Sequence, residues 1–525
     1  MDLLMKNIHM CRQTKRTSTQ ITLDDDLNVP DIRPDVEMII QSRERVNLEH
    51  TRVENGKLYV GGYMDVSILY MDDTKERQLF RLDTKLNFDE CINMENLETG
   101  DNVRIRYETE DLNVTLINSR KLAIRGLLSV EVSVDEIYDL SAAVEVQTPV
   151  VLCERRKRLD LMQLEVQKKD IFRLKETAAI PANKPDIREI LWDYIQIRNC
   201  RIQLREGKLG IQGLVFFFVL YRGEDEKKSH QWLEQTIPFE GELACSGCVS
   251  GLIPEVELLL TQSSLSVRED TDGEMRLLHL EGVLELEIRL YRNEEVEILE
   301  DVYSPEKQLE VTVSEEQYER LVMKNESRCK TTGKIRIHSA KPRILQICHS
   351  NGTVKIDQTR ILSNGIQIEG ALLVSILYIS SDDAMPFAVL EGSIPFSHVA
   401  DVPGITEDCR FTLSGSLDQL TAAMSDSEEI EVRAQICLNV MAVQPLKQEC
   451  IREIEEKDYT LEQLQAVPGF TGYFVQEGET LWDIGKKYFL TPSQIAEVNG
   501  LETEEIKAGD CLILMKQVIP FRHFS

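Results

Sequence analysis

Three stretches of this chain repeat one another without gaps, and that repetition constrains its fold more than any other feature. RPDVEMIIQSRERVNLEHTRVENGKLYVGGYMDVSILY ends at Tyr70, KPDIREILWDYIQIRNCRIQLREGKLGIQGLVFFFVLY at Tyr221, and KPRILQICHSNGTVKIDQTRILSNGIQIEGALLVSILY at Tyr378. Pro34, Pro185 and Pro342 stand 151 and 157 residues apart, and Gly62, Gly213 and Gly370 keep the same spacing. Phe88, Phe239 and Phe396 continue the register. A chain of 525 residues has room for about three or four domains of ordinary size. Triplication of one unit fills most of that length.

Each unit reads as β-rich. A basic residue and Pro, followed by apolar residues three and four apart, predict a short helix with Pro in its first turn. Two strand-forming runs follow, joined by tight turns at Asn55-Gly56, Glu206-Gly207 and Asn364-Gly365. Gly56, Gly207 and Asn364 share one repeat position, and both residue types tolerate positive φ. The second run, LVFFFVLY in the middle unit, is apolar throughout, as expected of a strand buried on both faces. Further on, RKLAIRGLLSVEVSVDEIYDL, LLHLEGVLELEIRLYRNEEVEILEDVY and EIEVRAQICLNVMAV supply another strand pair. The alternation in Val130-Glu131-Val132 predicts one buried face there. The fold class expected is mainly β: three tandem β-rich, sandwich-like repeat domains with short helices, at 1–150, 151–307 and 308–455. Each would hold its own buried strands and fold alone; strand order stays open. Tyr70, Tyr221 and Tyr378 read as structural strand ends.

A polar linker, 456–470, closes on Pro468-Gly469. The tail, 471–517, then follows a βααβ order. A strand from Tyr473 to Gln476 leads to a helix from Leu481 to Tyr488, capped by Thr480. A second helix, capped by Thr491 or Ser493, stops at Asn499-Gly500, and Cys511–Met515 forms the closing strand. This segment resembles a LysM domain at Tyr473, Val475, Gly478, Thr480, Leu481, Trp482, Ile484, Asn499, Gly509 and Leu512, with Glu479 where Asp is commoner. Three acidic β-rich repeats closed by a LysM domain resemble the SPOCS-domain spore-coat morphogenesis proteins of clostridia and their relatives.

The resemblance implies a non-enzymatic scaffold or adaptor of coat assembly. Its partners would be a coat morphogenetic ATPase (SpoIVA-like) and other coat proteins. It also implies a LysM groove, with Gly478, Glu479, Thr480 and Leu481 on one wall and Asn499, Gly500, Leu501 and Ile506 opposite. In that family the groove takes the acetamido groups of N-acetylglucosamine chains. A peptidoglycan-binding protein is therefore one alternative, and a wall-associated hydrolase another.

Charge and composition narrow the location. The chain carries 60 Lys and Arg against 90 Asp and Glu, a net charge of −30, which disfavours nucleic acid and anionic membrane. The longest apolar run, Leu214–Leu220, is far too short to span a bilayer. The opening MDLLMKNIHMCRQTKR breaks its apolar residues with Asp2, Lys6 and Arg12, unlike a signal peptide. Twelve thinly spread cysteines read as reduced thiols. The expectation is a cytoplasmic protein without transmembrane insertion. Under the resemblance this means the mother-cell cytoplasm, where coat proteins assemble on the forespore surface without secretion.

No catalytic constellation stands out. Cys245-Ser-Gly-Cys248 is a lone CxxC, half a zinc site at most, and the other repeats place Met94 and Leu97, or Val402 and Ile405, at the same positions; it reads as a turn. Walker, GxGxxG and GxSxG motifs are absent from the sequence, and the histidines form no HxxxH. The run Glu294, Glu295, Glu297, Glu300 and Asp301 reads as a solvated face. The expectation is no catalytic residue, no metal and no cofactor.

Overall fold

The computed structural model describes residues 1–224, 230–337 and 341–516. The first repeat runs through β1 (Asp2–Asn28), β2 (Val36–Glu54), β3 (Lys57–Asp72), β4 (Leu79–Asn93), β5 (Asn102–Asn118) and β6 (Lys121–Gln147). The second runs through β7 (Cys153–Ala179), β8 (Ile187–Arg205), β9 (Lys208–Gly223), β10 (His230–Ala244), β11 (Ile253–Glu269) and β12 (Met275–Tyr303). The third comprises β13 (Gln308–Arg336), β14 (Ile344–Leu362), β15 (Gly365–Ser380), β16 (Phe387–Asp401), β17 (Arg410–Met424) and β18 (Glu429–Lys457). In each, two antiparallel three-stranded sheets form, ordered β1-β6-β5 and β2-β3-β4 in the first. They face each other over a core that includes Leu58, Met64, Ile68, Leu122, Leu128 and Val132. The expected sandwich is present in all three repeats, with this strand order added.

The repeated residues brace this sandwich. Tyr70, Tyr221 and Tyr378 are fully buried, and each hydroxyl donates to the carbonyl of its own repeat's proline: Pro34 at 3.2 Å, Pro185 at 3.2 Å and Pro342 at 3.0 Å. Gly62, Gly213 and Gly370 lie opposite Phe88, Phe239 and Phe396 across the ladder. A Cβ on Gly213 would meet the Phe239 ring at 2.7 Å, so the aromatic side chain covers the bare backbone. The hairpins close on two-residue turns, with Gly56 at φ 77° and Gly207 at φ 67°. Asn364 is not left-handed, so the third hairpin turns without that device.

The predicted short helix after each basic-Pro pair is a strand. β2, β8 and β14 each carry two register shifts near their start, at Val36/Met38 and Ile39/Gln41, Ile187/Glu189 and Ile190/Trp192, and Ile344/Gln346 and Ile347/His349. Each bulge inserts one residue and flips the alternation. Val36 and Ile39 therefore face the sandwich core while Met38 and Ile40 face away. Apolar residues three apart thus imitate a helical period.

The face turned away is not solvated. Leu69 and Met71, Phe216, Phe218 and Leu220, and Leu377 and Phe387 join one cluster drawn from all three repeats. The second run is buried on both faces, as expected, and the outer burial is contact between repeats. A second junction lies at the far end of the long strands. β1 pairs with β6 from Asp2↔Gln147 to Asn28↔Lys121, but β5 joins β6 only from Asp135 back to Lys121. Beyond that point β1 and β6 continue as a two-stranded ribbon, and β7–β12 and β13–β18 do the same. The three ribbons pack together through Ile8, Met10, Leu161, Ile298, Tyr318 and Cys450, forming a stem. Bulges at Gln13/Lys15, Leu290/Tyr291 and Leu321/Met323 mark where each ribbon leaves its sandwich.

The tail comprises α1 (Leu461–Ala466), β19 (Phe470–Phe474), α2 (Leu481–Tyr488), α3 (Pro492–Asn499) and β20 (Cys511–Met515). Part of the expected linker is ordered structure: β18 runs through Lys457, and α1 has a capping box between Thr460 and Gln463. The first tail strand begins at Phe470, three residues before the expected Tyr473. The helices and the closing strand fall where the sequence places them, with Thr491 as the second cap. No helix among the described residues is long and apolar enough to cross a membrane.

Candidate functional site

The tail is a compact unit around Val475, Leu481, Ile484, Leu490, Ile495 and Leu512. Thr480 caps α2 by accepting from the Asp483 amide, and the Asp483 carboxylate accepts in return from the Thr480 amide at 3.0 Å. That carboxyl is held below its usual range, first by the Thr480 side chain. α2 ends on Phe489 and α3 on Gly500, both left-handed, at φ 57° and 64°.

Of the eight groove residues, Leu481 opens α2 and Asn499 ends α3, the other six lie on the two loops beside them, and several serve the fold. Leu481 is 1 % exposed and belongs to the core, so its side chain lines no groove. Leu501 and Ile506 pack half-buried against the same core and draw the second loop onto the first. Glu479 accepts from the Tyr473 hydroxyl at 2.7 Å and from the Gln476 amide at 2.9 Å. That amide, and then the hydroxyl, hold the Glu479 carboxyl below its usual range, while the Tyr473 phenol is pushed up to about 12 by the same contact. Asn499 acts as a short stretch of mock strand: its amide donates to the Ile513 carbonyl at 2.9 Å, and its oxygen accepts from the Ile513 N–H at 2.7 Å. It thereby fixes α3 to the edge of β20. Gly478, Thr480 and Gly500 are exposed.

Sequence reasoning missed how this unit sits on the repeats. Asp301, near the end of β12, accepts from Trp482 Nε1 at 3.2 Å and from Lys486 Nζ at 2.6 Å. Tyr303 donates to the Leu490 carbonyl at 2.8 Å, and its ring meets Trp482 edge-on. The acidic run is thus not a plain solvated face. Glu294 pairs with Lys6 at 2.7 Å, Glu297 with Arg158 at 2.7 Å, Glu300 with Arg155 at 2.9 Å, and Asp301 holds the tail. Only the odd Tyr303 among acidic residues could have signalled this in the sequence.

Cys245 and Cys248 are buried in the second sandwich core, where the other repeats bury Met94 and Leu97 or Val402 and Ile405. Burial pushes the Cys245 thiol up, away from reactivity. Between the three sandwiches lies an open cavity of about 1580 Å³. Charged groups on its walls pair with one another, as Arg106 does with Glu257.

Comparison with known families matches these divisions. Residues 35–117, 186–268 and 343–425 each match the family described as SipL, SPOCS domain, and residues 473–514 match the LysM domain. Each SPOCS match spans the four strands from β2 to β5 or their counterparts and leaves the stem strands outside. No curated protein and no solved structure matches the chain. Three repeats and a tail, matched in that order, make this chain a member of the SPOCS-domain family, a sporulation-related protein that ends in a LysM binding module.

Proposed function

We propose that this protein is a non-enzymatic scaffold of spore-coat assembly in the mother-cell cytoplasm, docked to the forespore surface through its LysM domain. The partner in this reading is a coat morphogenetic ATPase, with other coat proteins meeting the repeats. One observation carries it: the LysM domain sits at the end of the stem with α2 against the repeats, while Gly478, Thr480 and Gly500 on its two loops stay exposed. A module held this way presents its loops outward from a body of three interlocked sandwiches. Deleting residues 470–525 should abolish forespore localisation of a fluorescent fusion in sporulating cells. Normal localisation of the truncated protein would refute docking through the LysM domain. The same exposed loop residues in a LysM domain favour a second reading, binding of N-acetylglucosamine polymer, for which co-sedimentation with purified peptidoglycan is the test.

A further inference from the structure

The LysM domain meets the repeats at a seam. Ion pairs between repeats concentrate on the first two: Arg33–Glu189 at 2.9 Å, Arg43–Asp193 at 3.3 Å, Arg104–Glu287 at 2.9 Å, Lys6–Glu294 at 2.7 Å, and the buried Arg289–Asp135 pair. Among the described residues, the third repeat meets the first through Lys355–Glu108 at 3.5 Å, and the second through His349 and Glu234 at 2.6 Å, where burial disfavours the charged ring. Hydrogen bonds add to these, from Lys157 Nζ to Gln448 Oε1 at 2.7 Å and from Arg452 to the Ser141 hydroxyl at 2.7 Å, and apolar burial holds much of the rest.

The tail is covalently continuous with the third repeat through β18, yet α2 is seated on the second. Asp301 takes both Trp482 and Lys486, Tyr303 takes the Leu490 carbonyl, and the Arg155 guanidinium lies 5.6 Å over the Trp482 ring. Tyr459, just past the third repeat, packs on Phe489 with ring centroids 4.2 Å apart and donates to the Ser304 carbonyl at 2.9 Å. The stem offers three ends, opened by the pairs Asp2↔Gln147, Cys153↔Tyr303 and Gln308↔Lys457. Only the second presents a tyrosine.

We propose that the LysM domain is an intramolecular latch: its α2 face, seated on the strand end Asp301–Tyr303, ties the third repeat to the second and closes the ring of repeats. The latch uses a different face from the loop groove and stands whether or not that groove takes a partner.

The test is a charge swap in the full-length protein. Lys486 is exposed, so Lys486→Glu leaves the LysM core intact while setting a carboxylate against Asp301. Hydroxyl-radical labelling of Trp482 reads whether α2 is seated, and hydrogen exchange over residues 153–166 and 308–321 reads the seam. Lys486→Glu should raise Trp482 labelling and speed seam exchange by about tenfold, the effect of losing ~1.4 kcal/mol of closure. Asp301→Lys combined with Lys486→Glu should recover part of both, because the swapped charges pair again while Trp482 Nε1 is left without its acceptor. Unchanged Trp482 labelling in Lys486→Glu would show that this contact does not seat α2, and the proposal falls. Faster labelling with unchanged seam exchange would show a docked domain that latches nothing, and the proposal falls equally.

Discussion

Tyr70, Tyr221 and Tyr378 show at single-residue scale why certain positions recur in this chain. Each lies at the end of a buried strand and closes on the proline that begins its own repeat, so the two residues are kept at a fixed distance by one hydrogen bond. Tyr221→Phe keeps the ring in the core and removes only the donor, so it should cost about 1 kcal/mol. Tyr70→Phe and Tyr378→Phe should cost the same within error in chemical unfolding. Arg289 is a harsher case. It is 3 % exposed, contacts the 7 % exposed Asp135, and has Glu255 and Glu287 within 3.6 Å. Arg289→Met would leave those carboxylates facing one another out of water, at a cost of about 3–5 kcal/mol. Ladder register puts Met441 at this position of the third repeat and Val443 at that of Asp135, an apolar solution to the same site. Adding Asp135→Val to Arg289→Met should therefore recover part of the loss. If the double variant unfolds no later than the single, Asp135 is not the stranded charge. At Leu481, which the family resemblance puts on a groove wall, burial decides for the core. Leu481→Asp should melt the isolated tail by circular dichroism, because an unpaired carboxylate is costly in a core.

At the scale of elements, the legible parts of the fold were those with one competing explanation. Helix α2 could be placed to the residue, and α3 at its end, because Thr480 and Gly500 each satisfy a helix end, while the start of α3 lay open between Thr491 and Ser493. The hairpins were equally plain from their turn residues. β2, β8 and β14 misled because two bulges in each strand break the period of two, and a sequence carries no separate mark for a bulge. The docking face of α2 stayed hidden for a related reason: Asp301 and Tyr303 acquire their role only when three stem ends come together. Glycine positions give a test at this scale. Gly56 sits at φ +77° with open space for 4 Å around the place a Cβ would take, so Gly56→Ala should cost only the backbone term, about 1–2 kcal/mol. Gly62 has ordinary φ, but a Cβ there would stand 2.1 Å from the Asn47 carbonyl oxygen, part of the paired backbone of β2. Gly62→Ala should therefore cost more than Gly56→Ala. Equal losses in thermal unfolding of the two variants would mean that β2 yields freely at its Leu48/His50 bulge.

For the whole molecule, the expectation that each repeat folds alone meets shared burial, since each sandwich has its own core but four further clusters draw on all three repeats. His230 makes this junction sensitive to pH. It stands in the second repeat, accepts from the Leu79 N–H of the first at 3.4 Å through Nε2, and meets the Phe387 ring of the third edge-on at 5.4 Å. Burial, and then the Arg222 guanidinium, hold its pKa down to about 4 against the ordinary 6.5, with Asp72 opposing them. Burial lowers that of His349 at the neighbouring contact as well, against the pull of Glu234. Above pH 6.5 neither the folded nor the unfolded chain protonates His230, and its contribution does not vary. Between 6.5 and about 4 the unfolded ring takes a proton that the folded ring refuses, so stability is lost as the pH falls, by at most ~1.4 kcal/mol per unit for each such group. Below about 4 both states bind the proton and the loss from this residue stops. His230→Gln keeps an acceptor for Leu79 and removes the titration. It should flatten the fall in melting temperature between pH 6.5 and 4.5 while leaving the carboxylate-driven loss at lower pH in place. If the variant and the parent chain lose stability with the same slope over that range, the folded His230 ring takes its proton as readily as the unfolded one, and the junction draws its pH response from other groups.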